Sequence, residues 1–84
     1  MAISIEQTPN PNALKFSVGQ PVGGPITLVP GGTVEHPLAD PLLAIPGVGS
    51  VFMTADFVTL SKTPEGDWAT IAPAAEAILE AHYG

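Results

Sequence analysis

The sequence predicts an α+β domain, an antiparallel sheet of about four strands with two helices on one face, in the order strand, strand, helix, strand, strand, helix. Three observations carry this. Apolar and polar residues alternate over Ile3 to Glu6, Leu14 to Val18 and Phe57 to Lys62, the period of strands with one buried face. Over Leu38 to Ile45 and again after Asp67, apolar residues recur at helical spacing. Ten prolines and nine glycines cluster between those segments, where they punctuate a folded chain. With 84 residues and 45% hydrophobic content, the chain reads as one domain over 1–84, too apolar for disorder.

The elements follow in order. Ile3 and Ile5 alternate with Ser4 and Glu6 in the first strand. Thr8-Pro9-Asn10-Pro11-Asn12 is a stiff loop, because each proline fixes its own φ and biases the preceding residue toward extended backbone. Leu14, Phe16 and Val18 form the buried side of a second strand, which suggests a hairpin, although no Asn-Gly pair fixes its register. A segment at about 19–37 is the loosest and is expected to be flexible. Within it, Ile26 to Val29 and Thr33 to His36 can form short edge strands, since proline at their margins suits an edge. No Lys-Ser or Lys-Thr follows its glycines, so it is no phosphate-binding loop.

Leu38, Leu42 and Ile45 share one face of a short helix that Pro46-Gly47 stops. Val48 to Thr54 and Phe57 to Lys62 are strands joined by Ala55-Asp56, with Val58 and Leu60 facing one way and Phe57 and Thr59 the other. Thr63-Pro64-Glu65-Gly66 is a turn. Asp67 N-caps the last helix, where its charge suits the helix N-terminus. Trp68, Ile71, Ala75, Ile78, Leu79 and His82 mark one face of that helix; Glu76 and Glu80 lie on the other. Pro73 conflicts with an uninterrupted helix and predicts a kink near Ala69 to Ala72, or a first turn followed by a second start.

Composition excludes several functions. The net charge is −6 and the cations are Lys15 and Lys62. Phosphate backbones and anionic membrane surfaces are therefore repelled, so neither nucleic acid nor membrane is an expected partner. The N-terminus has no basic region or long apolar stretch, so it does not read as a signal peptide. No run approaches the roughly 18 apolar residues of a membrane span, and a cytoplasmic location is expected. The chain has no Cys, so it has no disulfide and no thiolate for an iron–sulfur cluster. His36 and His82 are far apart in sequence and lack the local four-ligand spacing of structural zinc; they read as surface histidines, and no metal or cofactor is expected. The eight acids fall mostly at turns, caps and polar faces, and no nucleophile motif surrounds Ser4, Ser17, Ser50 or Ser61. Nothing here reads as an enzyme. Trp68 is expected to anchor the core, with Phe16, Phe52 and Phe57 sharing that role in part and one of them available to a partner.

Four stretches together resemble one family. Thr8-Pro9-Asn10-Pro11-Asn12-Ala13-Leu14-Lys15-Phe16 is similar to the opening motif of the N-terminal domain of Nfu/NifU-type iron–sulfur scaffold proteins. Pro41 to Val48 with Ser50-Val51-Phe52 resembles its helix-to-strand motif, Asp56 to Leu60 its next strand, and Asp67-Trp68 with Pro73 its last helix. The Gly/Pro-rich middle departs from the pattern. The resemblance, to that domain standing alone, implies a role in iron–sulfur cluster assembly. The Cys-x-x-Cys pair of full-length members belongs to a separate C-terminal domain, so what carries over is an accessory role: contact with client apo-proteins or assembly factors, without catalytic residues.

Thr8, Pro9, Asn10, Pro11, Asn12, Lys15 and Phe57 are the candidate partner-binding residues. A loop stiffened by Pro9 and Pro11 loses little further entropy on binding, and the Asn10 and Asn12 amides offer donors and acceptors. The same amides can equally cap their own turn. A general peptide- or strand-binding module unrelated to metals is the alternative, with the edge near Ile26 to Val29 accepting a strand. The chain is expected to be a monomer or a weak homodimer.

Overall fold

The alternating segments pair as their patterns require. The structure, a computed structural model, describes residues 3–83; Met1, Ala2 and Gly84, which the single-domain reading includes, lie outside the described residues. Five strands and two helices follow in the order β1 (Ser4–Gln7), β2 (Ala13–Ser17), β3 (Ile26–Leu28), α1 (Ala39–Leu43), β4 (Val48–Thr54), β5 (Phe57–Lys62) and α2 (Trp68–Tyr83). All pairings are antiparallel, and the strand order is β1-β2-β5-β4-β3. The fold is α+β as expected, with one strand more than the four counted from the sequence. The extra strand is β3, which pairs Ile26, Thr27 and Leu28 with Met53, Phe52 and Val51. Thr33 to His36, the other candidate edge strand, forms none.

One face of the sheet is the core. Phe16, Val51, Met53, Val58 and Leu60 are fully buried there, against Leu42 of α1 and Ile71, Ala75 and Leu79 of α2. Apart from Ala75, each of these side chains stabilises by about 1.5–3 kcal/mol relative to an exposed one. β5 lies at the centre because Val58 and Leu60 find apolar partners on both sides: Phe16 and Leu14 in β2, Met53 and Val51 in β4. Val48 and Val51 are both buried although three apart, a spacing that strict alternation places on opposite faces. A register shift between Val48 and Ser50 resolves this: Val48 pairs with Lys62 and Ser50 with Ser61, leaving Gly49 as an extra residue that resets the alternation.

Backbone contacts fix the helices. Asp67 caps α2 as expected: its carboxylate accepts the Ala69 N–H at 3.0 Å and its carbonyl those of Thr70 and Ile71. α2 then runs through Pro73 as one segment, so the second start does not occur. Pro73 and Ala69 are both exposed, and the carbonyl that Pro73 leaves without a donor lies on the solvent side. α1 is shorter than Leu38 to Ile45, since Leu38 is its N-cap and Ala44 its C-cap. After it Gly47 takes φ +94°, and a Cβ there would stand 2.6 Å from the Gly66 Cα. The Thr63 N–H bonds the Gly47 carbonyl at 2.8 Å, so the α1–β4 corner and the β5–α2 turn meet backbone to backbone.

Candidate partner-binding surface

The Pro-Asn loop at the end of the β1–β2 hairpin is held by its own groups. The Thr8 hydroxyl lies 2.9 Å from the Asn10 carbonyl and 3.0 Å from that of Ala13, and accepts the Asn10 N–H at 3.2 Å. The Asn10 side-chain oxygen accepts the Asn12 N–H at 2.9 Å. Of the two readings left open for these amides, the turn cap is the one that Asn10 shows. Two further bonds tie the loop to distant chain: the Trp68 indole N–H donates to the Pro11 carbonyl at 3.0 Å, and the Lys62 N–H to the Asn12 carbonyl at 2.8 Å. Trp68 packs against the core as expected, and being half-buried it also clamps the loop at the rim.

Lys15 and Phe57 lie elsewhere, on the sheet face that the helices leave open. The Lys15 ammonium sits 4.4 Å from the centroid of the Phe57 ring, a contact worth about 0.5–1 kcal/mol at an exposed site. It also lies 3.8 Å from the Glu6 carboxylate, an exposed pair that adds little. Phe57 pairs with Ser17, four residues along β2 from Ala13, so it stands about 14 Å from the loop at roughly 3.4 Å per residue. The structure therefore joins Lys15 to Phe57 and separates Phe57 from Thr8–Asn12.

Across the open face runs a row formed by Glu6, Lys15, Thr59, Phe52 and Thr27, one residue from each strand. Its two charges cancel, and Ser17, Ser50, Thr54 and Ser61 flank it. Phe52 is 40% exposed within this row. Depletion of charge around aromatic residues is the composition found at the centre of protein interfaces. Sequence reasoning left open which phenylalanine would be exposed. The phase of β4 carries the signal: Val51 and Met53 face the core, so Phe52 faces away.

The structure also joins the two histidines. Their rings lie 6.4 Å apart, and His82 stacks edge-on against Tyr83 at 4.6 Å. The His36 Nδ1 accepts the Leu38 N–H at 3.1 Å, which places the ring proton of neutral His36 on Nε2. Burial, and then the charge of His82, hold the His36 pKa below its ordinary value of 6.5. With one nitrogen accepting and the other protonated, His36 in this arrangement has no lone pair for a metal. Among the described residues no three His, Cys, Asp or Glu side chains converge as metal ligands.

The comparisons agree with this architecture. The family model described as "Scaffold protein Nfu/NifU N terminal" matches residues 3–84. A NifU-like protein of Schizosaccharomyces pombe is 41% identical over 85 residues, covering 95% of this chain and 33% of the relative. The Drosophila erecta protein named NFU1 iron-sulfur cluster scaffold homolog, mitochondrial, is 42% identical, covering 94% of this chain and 29% of its own. The chain thus spans about a third of the length of these curated relatives. Among solved structures, the NifU-like protein of Saccharomyces cerevisiae superposes with a TM-score of 0.80 at 30% identity, covering 98% of this chain and 79% of that one. The Staphylococcus aureus protein SAV1430 superposes at 0.79 and 30% identity, over 93% of this chain and 98% of its own. By motif, topology and relatives alike, this chain belongs to the Nfu/NifU N-terminal family.

Proposed function

We propose that this chain is a non-enzymatic interaction domain in iron–sulfur cluster assembly or delivery, which contacts apo-proteins or assembly factors and leaves cluster ligation to thiols elsewhere. The carrying observation is the pairing of Nfu/NifU family membership with a sequence that contains no Cys. Clusters need several thiolate or imidazole ligands, and the His36 Nδ1 already accepts a backbone N–H. The open sheet face, neutral and with Phe52 exposed, supports contact with a protein surface.

Two measurements test the reading. Isotope-labelled protein is titrated with apo iron–sulfur proteins and assembly factors, and amide shifts on at least one of them are expected; silence with all removes the partner role. The protein is also incubated anaerobically with ferrous iron and sulfide. A colourless product is expected, and a stable stoichiometric cluster on the chain would overturn the division of labour. A general strand-binding module unrelated to metals is the second reading, favoured by the edge of β3 that has no partner among the described residues, and a peptide-library selection that returns no iron–sulfur protein sequences would prefer it.

A further inference from the structure

β3 pairs with β4 on one side, and its other edge has no partner among the described residues. Beside that edge the chain turns at Pro30–Gly31, where the Gly32 N–H bonds the Val29 carbonyl at 2.9 Å, and runs back toward α1. This leaves a groove of ≈ 320 Å³ among Thr27, Leu28, Val29, Val34, Asp40 and Leu43. It continues into a wider bowl bordered by Glu35, His36 and Asp40. Val29 and Val34 are 44% and 50% exposed, and both line the groove together with the half-buried Leu43. The charged side chains lining groove and bowl are Glu35 and Asp40, both acidic and exposed. Lys15 and Lys62 lie in β2 and β5, beyond β4.

We infer that this corner receives a short extended peptide segment, with Lys or Arg beside an aliphatic residue, that adds to β3 as a sixth strand. Strand addition gives main-chain hydrogen bonds, while alternate side chains give specificity. The aliphatic residue fills the groove at Val29, Val34 and Leu43, and the cation meets Asp40 and Glu35. Pro25 and Pro30 flank β3 and lack an N–H, so the ladder is confined to Ile26–Leu28 and the bound segment is short. A second copy of the chain fits poorly, because it brings its own Glu35 and Asp40 to the same place and a net charge of −6.

This assignment deepens the partner-binding reading and rests on it. The test titrates isotope-labelled full chain with three capped hexapeptides: alternating Val and Lys, alternating Val and Glu, and the Val–Lys peptide N-methylated on the residues facing β3. The Val–Lys peptide is expected to move the amides of Ile26–Leu28 and of residues 33–40. The combined Glu35→Gln and Asp40→Asn change, and the exchange of Lys for Glu in the peptide, should each weaken binding roughly tenfold. Raising salt from about 0.1 to 1 M should weaken it as well, since the Debye length shrinks from about 10 to 3 Å. Equal binding of the Val–Glu or N-methylated peptide, or shifts confined to the open sheet face, would overturn the inference. So would concentration-dependent self-association through β3 with no response to peptide. Apo-partners that perturb only other surfaces would sink this site and leave the partner reading intact. Peptide binding at β3 with silence from every apo-partner would keep the site and remove the iron–sulfur role.

Discussion

Thr8–Asn12 and Gly19–Pro37 are both rich in proline, yet they treat their polar groups in opposite ways. In the first, two prolines fix the backbone while Thr8, Asn10, Trp68 and Lys62 satisfy its carbonyls and amides, so the loop is an internal joint between the β1–β2 hairpin and the start of α2. The second sends Val22 and Leu28 into the core, but leaves one edge of β3 without a partner among the described residues, exposes Val29 and Val34, and brings Glu35 to the same bowl as Asp40 of α1. Proline content alone does not separate a joint from a docking surface. What separates them is whether the backbone groups that proline stiffens are already bonded.

The largest effect should come from unclamping the joint. Trp68→Ala removes a half-buried ring and its bond to Pro11, and should cost about 2–4 kcal/mol in urea unfolding, toward the low end for aromatic truncation. Trp68→Phe keeps a ring and loses the donor, and should cost about 1 kcal/mol. If the Phe variant costs nothing, the indole bond does not hold the loop. Thr8→Val, nearly isosteric, removes a hydroxyl that meets three backbone groups, and should cost about 1–2 kcal/mol. Its amide exchange should quicken at Asn10 and Ala13 and not in β3.

Most of this architecture was legible in residue pattern. β4 and β5 fall at Val48–Thr54 and Phe57–Lys62, the ranges read from the sequence, and Asp67 caps α2. The alternation was not enough at Gly49, where a bulge reverses the phase, because a bulge is a pairing event between strands and leaves no local period. Thr33–His36 looked like an edge strand, yet α1 and its cap claim the neighbouring chain: the Leu38 N–H goes to His36. The candidate site was legible in part. Lys15 and Phe57 do meet, but 42 positions separate them in sequence, and only the register of β2 on β5 shows that they share a face. The meeting of His36 and His82 was hidden for the same reason.

That histidine contact gives the next prediction, on the anchor that the second segment does possess. Neutral His36 accepts the Leu38 N–H, and protonation would place a second donor against that N–H while burial and His82 oppose the charge. The folded pKa is lowered, so below the unfolded value of 6.5 the unfolded chain binds more protons than the folded one. Stability should be full above pH 6.5 and should fall as the pH drops from there toward the lower folded value. His36→Gln should flatten that limb of the profile. A profile unchanged by the substitution would show that the Leu38 bond and the His82 contact do not act on folding.

The smallest effect on stability should be the most informative about docking. Val34 is half exposed and its backbone lies outside every strand, so Val34→Ser removes little buried area and should change unfolding by no more than about 0.5 kcal/mol. The same change takes one apolar wall from the β3 groove and should weaken an extended Val–Lys peptide several-fold, since the groove and not the fold uses that side chain. Thr8→Val should do the reverse, lowering stability and leaving peptide affinity untouched. A valine whose loss destabilised the fold would place this corner among the joints. Paired measurements on the two variants therefore decide whether the two proline-rich segments differ in kind.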